Sequence, residues 1–229
     1  MIRTLAPKMA LRLTCPRDTW ERHVLVARAV ERPGTVLDVG GRPGELAAFL
    51  PGSRVTALNV DEPADVVASD ERLPFPDGSF DVVTSLDVLE HLSRERRRSH
   101  LEELVRVARS QVLACCPLGT TAHVQAEEEL AAWYESVAGS PHRFLQEHLA
   151  NGLPTEDELR GLIGELPFSF ELSFHGDFRR TDQIFRASVR SDLLRYGREV
   201  LRPADTALSA TPNEHTNRAF LSGVPADAP

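Results

Sequence analysis

Five short apolar runs follow one another between residues 35 and 117, and helical or turn-rich segments separate them. The runs are rich in Val, Leu and Ala without strict polar alternation, which is typical of strands buried on both faces of a parallel sheet. Consecutive parallel strands need crossover connections, usually helices. We therefore predict an α/β fold with a mostly parallel sheet and helices on both of its faces. The five predicted strands span residues 35–39, 54–59, 66–69, 81–86 and 111–116.

Charge, hydropathy and cysteine content argue against several classes of protein. The formal net charge is -8, whereas nucleic-acid-binding chains usually carry a basic surface. No apolar run approaches the roughly 18 residues of a membrane span, and the N-terminus lacks the apolar core of a signal peptide. The three cysteines, Cys15, Cys115 and Cys116, do not have zinc-site spacing. We expect a cytoplasmic protein with no metal, no nucleic-acid partner and no membrane contact; the oligomeric state is left open.

A glycine-rich stretch follows the first predicted strand. Asp38 ends that strand, and Gly40, Gly41 and Gly44 come next. Glycine lets a ligand lie against the backbone where a side chain would collide with it. The G-x-G-x-x-G pattern that seats a pyrophosphate is absent, and an acid at this place would repel one. The stretch instead suits a cationic ligand that carries an ammonium group and a sulfonium centre.

At these residues the chain resembles the class I S-adenosylmethionine-dependent methyltransferases, and in particular a bacterial group, the type 11-like enzymes, that acts on small molecules. The signature of that family is roughly D-x-G-x-G-x-G; Asp38, Gly40 and Gly44 match it, whereas Arg42 replaces the middle glycine. The resemblance covers about residues 18–118. It implies a Rossmann-like class I methyltransferase fold, S-adenosyl-L-methionine as cofactor and methyl transfer as the activity.

Two further blocks, residues 70–81 and 85–92, match the family in the expected order. The resemblance places the first block around the adenine base and the second over the methionine part of the cofactor. Asn59 stands where the family has an acid that binds the ribose hydroxyls, and Asp61 follows it two residues later. The cofactor-binding residues that the resemblance implies are Asp38, Gly40, Gly41, Gly44, Asn59, Asp61, Asp70, Arg72, Leu73, Ser85 and Leu86.

Three histidines are candidates for catalysis. A hydroxyl acceptor must lose its proton at or near methyl transfer, and an imidazole suits that role. The candidates are His91, His123 and His148, although each of them also has a purely structural interpretation. The acceptor classes considered are a sugar, a glycan precursor and a secondary metabolite. Arg94, Arg97 and Arg98 lie on one predicted helix face and are interpreted as a solvated surface.

We divide the chain into three parts. Residues 1–17 form an N-terminal segment and residues 18–188 the methyltransferase domain, in which residues 120–154 are an insertion that covers the substrate. Residues 189–229 form a C-terminal extension whose last eight or so residues are predicted to be disordered, because prolines recur after residue 202. The alternative is a degenerate relative that keeps the fold and serves as a non-catalytic binding or partner subunit, which Arg42 and Asn59 favour.

Overall fold

The structure is a computed structural model that describes residues 15–69, 71–192, 194, 197 and 206–226. Two short 3-10 turns, Leu46–Phe49 and Leu89–His91, lie among the regular elements. The α-helices are α1 (Arg17–Ala29), α2 (Arg94–Val107), α3 (Thr121–Ala138), α4 (Arg143–Asn151), α5 (Glu156–Gly164) and α6 (Phe178–Val189). The strands are β1 (Thr35–Val39), β2 (Arg54–Asn59), β3 (Val66–Val67), β4 (Phe80–Leu86), β5 (Ala108–Pro117), β6 (Phe168–Asp177) and β7 (Thr216–Pro225).

The strands form one sheet in the order β3-β2-β1-β4-β5-β7-β6. The pairs among β1 to β5 are parallel, and β7 runs antiparallel to both of its neighbours. The predicted mostly parallel α/β sheet is therefore confirmed. In the central register Val39 of β1 lies beside Leu58 of β2 and Ser85 of β4. The carboxyl ends of these strands consequently meet at one border of the sheet, which we call the carboxyl edge.

Alternate strand residues enter two apolar cores on opposite faces of the sheet. Leu37 and Val83 pack in the core that includes Leu101 of α2. Val36 and Val82 pack in the other core, which includes Val26 of α1. Both faces therefore carry helices, as predicted. None of the helices in the described ranges is long and apolar enough to cross a membrane.

The last strand in chain order corrects the predicted domain boundary. Residues 216–225 were assigned to the C-terminal extension, but they form β7 between β5 and β6. The local sequence contains Asn, Arg, Gly and Pro and does not favour a strand, so tertiary pairing decides the outcome. The predicted disorder is thus wrong for residues 222–225. Residues 1–14 and 227–229 lie outside the described residues.

Candidate functional site

The glycine loop, residues 40–44, is fastened to the neighbouring strand ends. The backbone N–H of Gly40 donates a 2.7 Å hydrogen bond to the carbonyl oxygen of Leu58. Gly40 has φ +84°, and a Cβ at this position would lie 2.4 Å from Cγ2 of Val88. Glycine is therefore required both by the backbone angle and by the close approach of the turn that follows β4.

Asp38 is a buried carboxylate beside this loop, with 2% of its surface exposed. The hydroxyl of Thr84 donates a 2.7 Å hydrogen bond to its Oδ1. A Cβ on Gly41 would lie 1.9 Å from its Oδ2, so only glycine fits against the carboxylate. Burial raises the pKa of Asp38 to about 6, because it outweighs the Thr84 hydrogen bond and the charge of Arg22.

The side chain of Asn59 forms hydrogen bonds to the glycine loop. Its amide nitrogen lies 3.0 Å from the carbonyl oxygen of Gly40 and 3.2 Å from that of Gly41, and its Oδ1 accepts a bond from the N–H of Val60. Both ends of the amide are therefore engaged by backbone, a role that the resemblance to the family did not suggest. A carboxylate in its place would face two carbonyl oxygens. Asp61 is exposed.

The glycine loop is open at Gly44. Gly44 has φ +85°, and a Cβ placed there would meet no atom within 4 Å. Arg42, at the position of the family's middle glycine, is exposed and does not fill this space. The chain then enters only the four-residue 3-10 turn Leu46–Phe49 rather than an α-helix.

The loop after β3 is held by α2. Leu73 is buried, and its N–H donates a 2.8 Å bond to Glu103. Arg106 pairs with Glu103 and donates to the carbonyl oxygens of Leu73 and Phe75. This pair was not predicted from the sequence, although its i,i+3 spacing on a helix is a recognisable signal. Arg72 is exposed, and Asp70 lies outside the described residues.

Ser85 and Leu86 end β4 with their side chains in the interior. The hydroxyl oxygen of Ser85 lies 2.9 Å from Nε2 of the buried His100 on α2. Leu86 packs in the core beneath α1. A contact from these two residues to a ligand at the carboxyl edge would therefore have to come from their backbone.

The structure brings two of the three candidate histidines together. The rings of His91 and His148 lie 4.7 Å apart. His91 places Nδ1 at 2.8 Å from Glu147, and His148 places Nδ1 at 3.0 Å from Glu127. Because carboxylates accept, each Nδ1 is the donor and each Nε2 is left for another partner.

His123 lies apart from this pair. Its Nδ1 donates a 2.9 Å bond to the carbonyl oxygen of Leu118. The ring stacks on Phe178 with centroids 4.5 Å apart. Burial lowers the pKa of His123, with smaller opposing effects from Glu127 and from the Leu118 hydrogen bond, so the neutral form is favoured.

Glu90 is a buried carboxyl group beside the histidine pair. Only 1% of its surface is exposed, and burial together with the negative charge of Asp87 raises its pKa to about 8. In the part of the chain that the structure describes, neither its Oε2 nor Nε2 of His148 has a hydrogen-bond partner. Glu90 lies in the block 85–92 that matches the family, but no role was predicted for it from the sequence.

Asp87 joins three distant elements at the same edge. It has φ +55° and accepts bonds from Arg22 of α1 at 2.5 Å and from Arg218 of β7 at 2.6 Å. Although burial raises the pKa of Asp87, the charges of Arg218 and Arg22 bring it well below its usual value. The two arginines had no role in the sequence analysis, because nothing in a single chain's local pattern shows that their elements meet here.

Arg97 corrects another expectation. It was interpreted as part of a solvated face, but its side chain is fully buried. Its guanidinium donates to the carbonyl oxygens of Leu89, at 3.0 Å, and of Gly152, and it pairs with Glu158 at 2.7 Å. It therefore fixes the turn after β4 relative to the end of α4.

Residues 120–154 form the helix pair α3 and α4. Gly139, with φ +74°, ends α3, and Gly152, with φ +71°, ends α4. Helix α4 packs against the turn Leu89–His91 and contributes His148 to the cluster there. The segment thus adjoins the carboxyl edge through this turn.

Comparison with known proteins finds a likeness to methyltransferases. Residues 37–116 match the model of the methyltransferase domain family. An uncharacterized methyltransferase from Mycolicibacterium gilvum (strain PYR-GCK) is 35% identical over 96 residues, which are 35% of this chain and 37% of that protein. The match thus spans little more than a third of the length of this relative.

Solved structures resemble the chain over most of its length. An S-adenosylmethionine-dependent methyltransferase from Aquifex aeolicus has a TM-score of 0.52 and 14% identity, with 96% of this chain and 98% of that chain covered. The 1,6-didemethyltoxoflavin-N1-methyltransferase of Burkholderia thailandensis, with bound 1,6-didemethyltoxoflavin and S-adenosylhomocysteine, has a TM-score of 0.54 and 18% identity, with 94% and 81% covered. At these identities the likeness shows the fold. Residues 37–116 are therefore similar to a methyltransferase domain, and the chain has the same fold as these solved methyltransferases.

Proposed function

We propose that the protein transfers the methyl group of S-adenosylmethionine to a small-molecule acceptor. The cofactor would lie at the carboxyl edge along the glycine loop, where ligands bind in open α/β sheets. Its contacts would come from the residues implied by the resemblance, with Asn59 holding the loop and Ser85 and Leu86 contributing backbone atoms. The methyltransferase domain and the fold support this proposal.

One observation carries the proposal, namely the buried carboxylate of Asp38 against the glycine loop. A carboxylate with a raised pKa is under-stabilised in its charged form, so a nearby cation gains by approaching it. S-Adenosylmethionine carries both an ammonium and a sulfonium charge. The open space at Gly44 leaves room for such a ligand beside the loop.

The reaction would be an in-line displacement at the methyl carbon. The acceptor atom forms a bond to the methyl carbon, the carbon–sulfur bond breaks, and S-adenosylhomocysteine leaves as a neutral thioether. Alignment of the two reactants supplies most of what the enzyme contributes. A hydroxyl acceptor also loses its proton, and His91 and His148 lie at the carboxyl edge where they can assist that loss, whereas His123 is engaged by Leu118 and Phe178.

The helix pair formed by residues 120–154 would cover the acceptor. It brings aromatic and titratable groups to the turn after β4: Phe144 contacts His91, and Tyr134 contacts His142. Closing such a cover excludes water from the reacting groups. We also propose a cytoplasmic location, which suits a chain whose three cysteines are unpaired.

Calorimetric titration of the purified protein with S-adenosylmethionine and S-adenosylhomocysteine tests the proposal. We expect binding between low-micromolar and sub-millimolar affinity. Asp38→Asn should weaken binding of S-adenosylmethionine by about tenfold or more, because a charge-assisted contact is lost. For the same reason the wild-type affinity should fall as the pH is lowered below about 6, where Asp38 takes up a proton.

The matched control is Asp157→Asn, which removes an exposed carboxylate on α5 and should leave the affinity unchanged. Circular dichroism of each variant establishes that it is folded. If neither compound produces heat or a thermal shift at millimolar concentration, the chain is not a methyltransferase, and the alternative of a non-catalytic relative takes its place.

A further inference from the structure

We propose that Glu90, His91 and His148 bind a divalent transition-metal ion at the carboxyl edge. Each of the three residues offers one ligand atom, and these atoms all lie within 4.8 Å of one another. Two residues belong to the turn after β4 and the third to α4, so the site joins the sheet to the proposed cover. Two imidazoles and one carboxylate are an established ligand set for a metal with open coordination positions.

The two histidines are already oriented as metal ligands. A ligating imidazole almost always donates its second ring N–H to a carboxylate, a carbonyl or a water, which fixes the ring and its tautomer. His91 donates from Nδ1 to Glu147 at 2.8 Å, and His148 donates from Nδ1 to Glu127 at 3.0 Å. Both rings therefore keep the lone pair of Nε2 for an ion.

Two buried polar atoms of the cluster have no other partner. Oε2 of Glu90 and Nε2 of His148 make no hydrogen bond within the described residues, and Glu90 is 1% exposed. An unsatisfied buried polar group typically costs about 1–3 kcal/mol, so its presence in a folded protein calls for an explanation. One ion between these atoms satisfies both of them.

The segments that carry the ligands are held in place independently of any ion. Arg97 donates to the carbonyl oxygen of Leu89 before the first ligand and to that of Gly152 after the last one. The amide of Asn151 on α4 donates a 2.9 Å bond to the carbonyl oxygen of His91. Such support keeps the three ligand atoms close together, as a preorganised site requires.

The ligand set selects the kind of ion. Mg²⁺ and Ca²⁺ prefer all-oxygen ligands, whereas imidazole suits Zn²⁺, Fe²⁺ and their first-row neighbours. Three protein ligands leave positions for water or for an oxygen atom of the methyl acceptor. That last step rests on the proposed function: a coordinated acceptor hydroxyl would release its proton to solvent more readily, and its oxygen would then attack the methyl group.

Cobalt(II) is the probe for the site, because its visible absorption reports the coordination. The protein is treated with a chelator, freed of it, and titrated with Co²⁺ while the absorption is recorded; Zn²⁺ is titrated by calorimetry. We expect about one equivalent of either ion to bind. Glu90→Gln and His148→Ala should each weaken binding by at least about tenfold, and Glu127→Gln should weaken it by about 10- to 100-fold through its effect on His148.

His215→Ala is the matched control. It removes a histidine that directly precedes β7 and lies outside the cluster, and the variant should bind Co²⁺ as the wild type does. Circular dichroism checks each fold; if Glu90→Gln does not fold, His91→Ala, whose side chain is 25% exposed, carries the test. The proposal is overturned if the wild type binds no Co²⁺, or if the cluster variants bind it unchanged. Titration with S-adenosylmethionine in the presence of chelator shows separately whether the proposed function fails.

Discussion

At the scale of a single residue, the buried carboxyl group of Asp38 lowers the stability of the folded protein when it is ionised. The carboxyl group is buried at the end of β1 against Gly41, and burial raises its pKa from 3.8 to about 6. A group with a raised pKa binds its proton more tightly in the folded state than in the unfolded chain. Its contribution to stability is therefore complete below about pH 4 and is lost as the pH rises towards 6.

We expect Asp38→Asn to increase the free energy of unfolding at pH 7.5. A shift of about two pKa units corresponds to about 3 kcal/mol, which sets the order of magnitude of the gain. At pH 4.5 the gain should be much smaller, because the wild-type carboxyl group is then largely protonated. Denaturant titrations at both pH values measure the difference, with Asp157→Asn as the exposed control; an equal effect at the two pH values would contradict this origin.

At the scale of elements, the turn Leu89–His91 is held chiefly by the helix that follows it. The carbonyl oxygens of Leu89 and Leu92 both accept bonds from Nε of Arg97, one turn into α2. The same guanidinium reaches Gly152 at the end of α4 and Glu158 on α5. One side chain thus sets the relative placement of three helices and of the turn that bears Glu90 and His91.

Arg97→Met should destabilise the protein strongly. Removing one partner of a buried ion pair typically costs about 3–5 kcal/mol, and here several carbonyl oxygens also lose their donor. Arg98→Met on the same helix is the matched control, because Arg98 is 39% exposed and pairs with the exposed Glu165; its effect should stay within about 1 kcal/mol. Thermal and denaturant unfolding measure both variants, and similar losses for the two would refute the role of Arg97.

The elements differ in how far the sequence alone could predict them. β1 and β2 have their predicted bounds because their runs are rich in apolar residues and are bounded by turn residues. The glycine loop and the approach of Asp38 to it follow from local backbone geometry in the same way. The buried state of Arg97, the pairing of Asn59 with the loop and the strand β7 could not be predicted, because each depends on a partner far away in the chain.

At the scale of the whole molecule, one ionic cluster connects the first described helix to the last strand. Arg218 lies on β7, 131 positions after Asp87 in the chain, and it is 5% exposed. Arg22 completes the cluster from α1. The ion pairs of Asp87 at the carboxyl edge therefore form only when α1, β4 and β7 are all in place.

Arg218→Met should lower the free energy of unfolding by about 3–5 kcal/mol, because Asp87 remains buried with one of its two arginines lost. Arg179→Met, which breaks an ion pair of a half-exposed arginine with Asp177, serves as the control and should change stability little. Denaturant unfolding compares the two. If Arg218→Met were as stable as the wild type, Arg22 alone would suffice to hold Asp87.

The position of β7 between β5 and β6 also determines the order in which the strands can pair during folding. β6 is made on the ribosome before β7, and among the described strands β7 is its one partner in the sheet; a single bridge also joins Phe174 of β6 to Ser209. Until β7 is made, β6 lacks its partner in the sheet, and its phenylalanines at 168, 170 and 174 lack their final packing. Long-range pairing of this kind slows folding and leaves an unpaired strand open to association with other chains. Refolding yield should therefore fall as protein concentration rises. The species that associates with other chains is the intermediate in which β7 has not yet paired and β5 is the edge strand of the sheet.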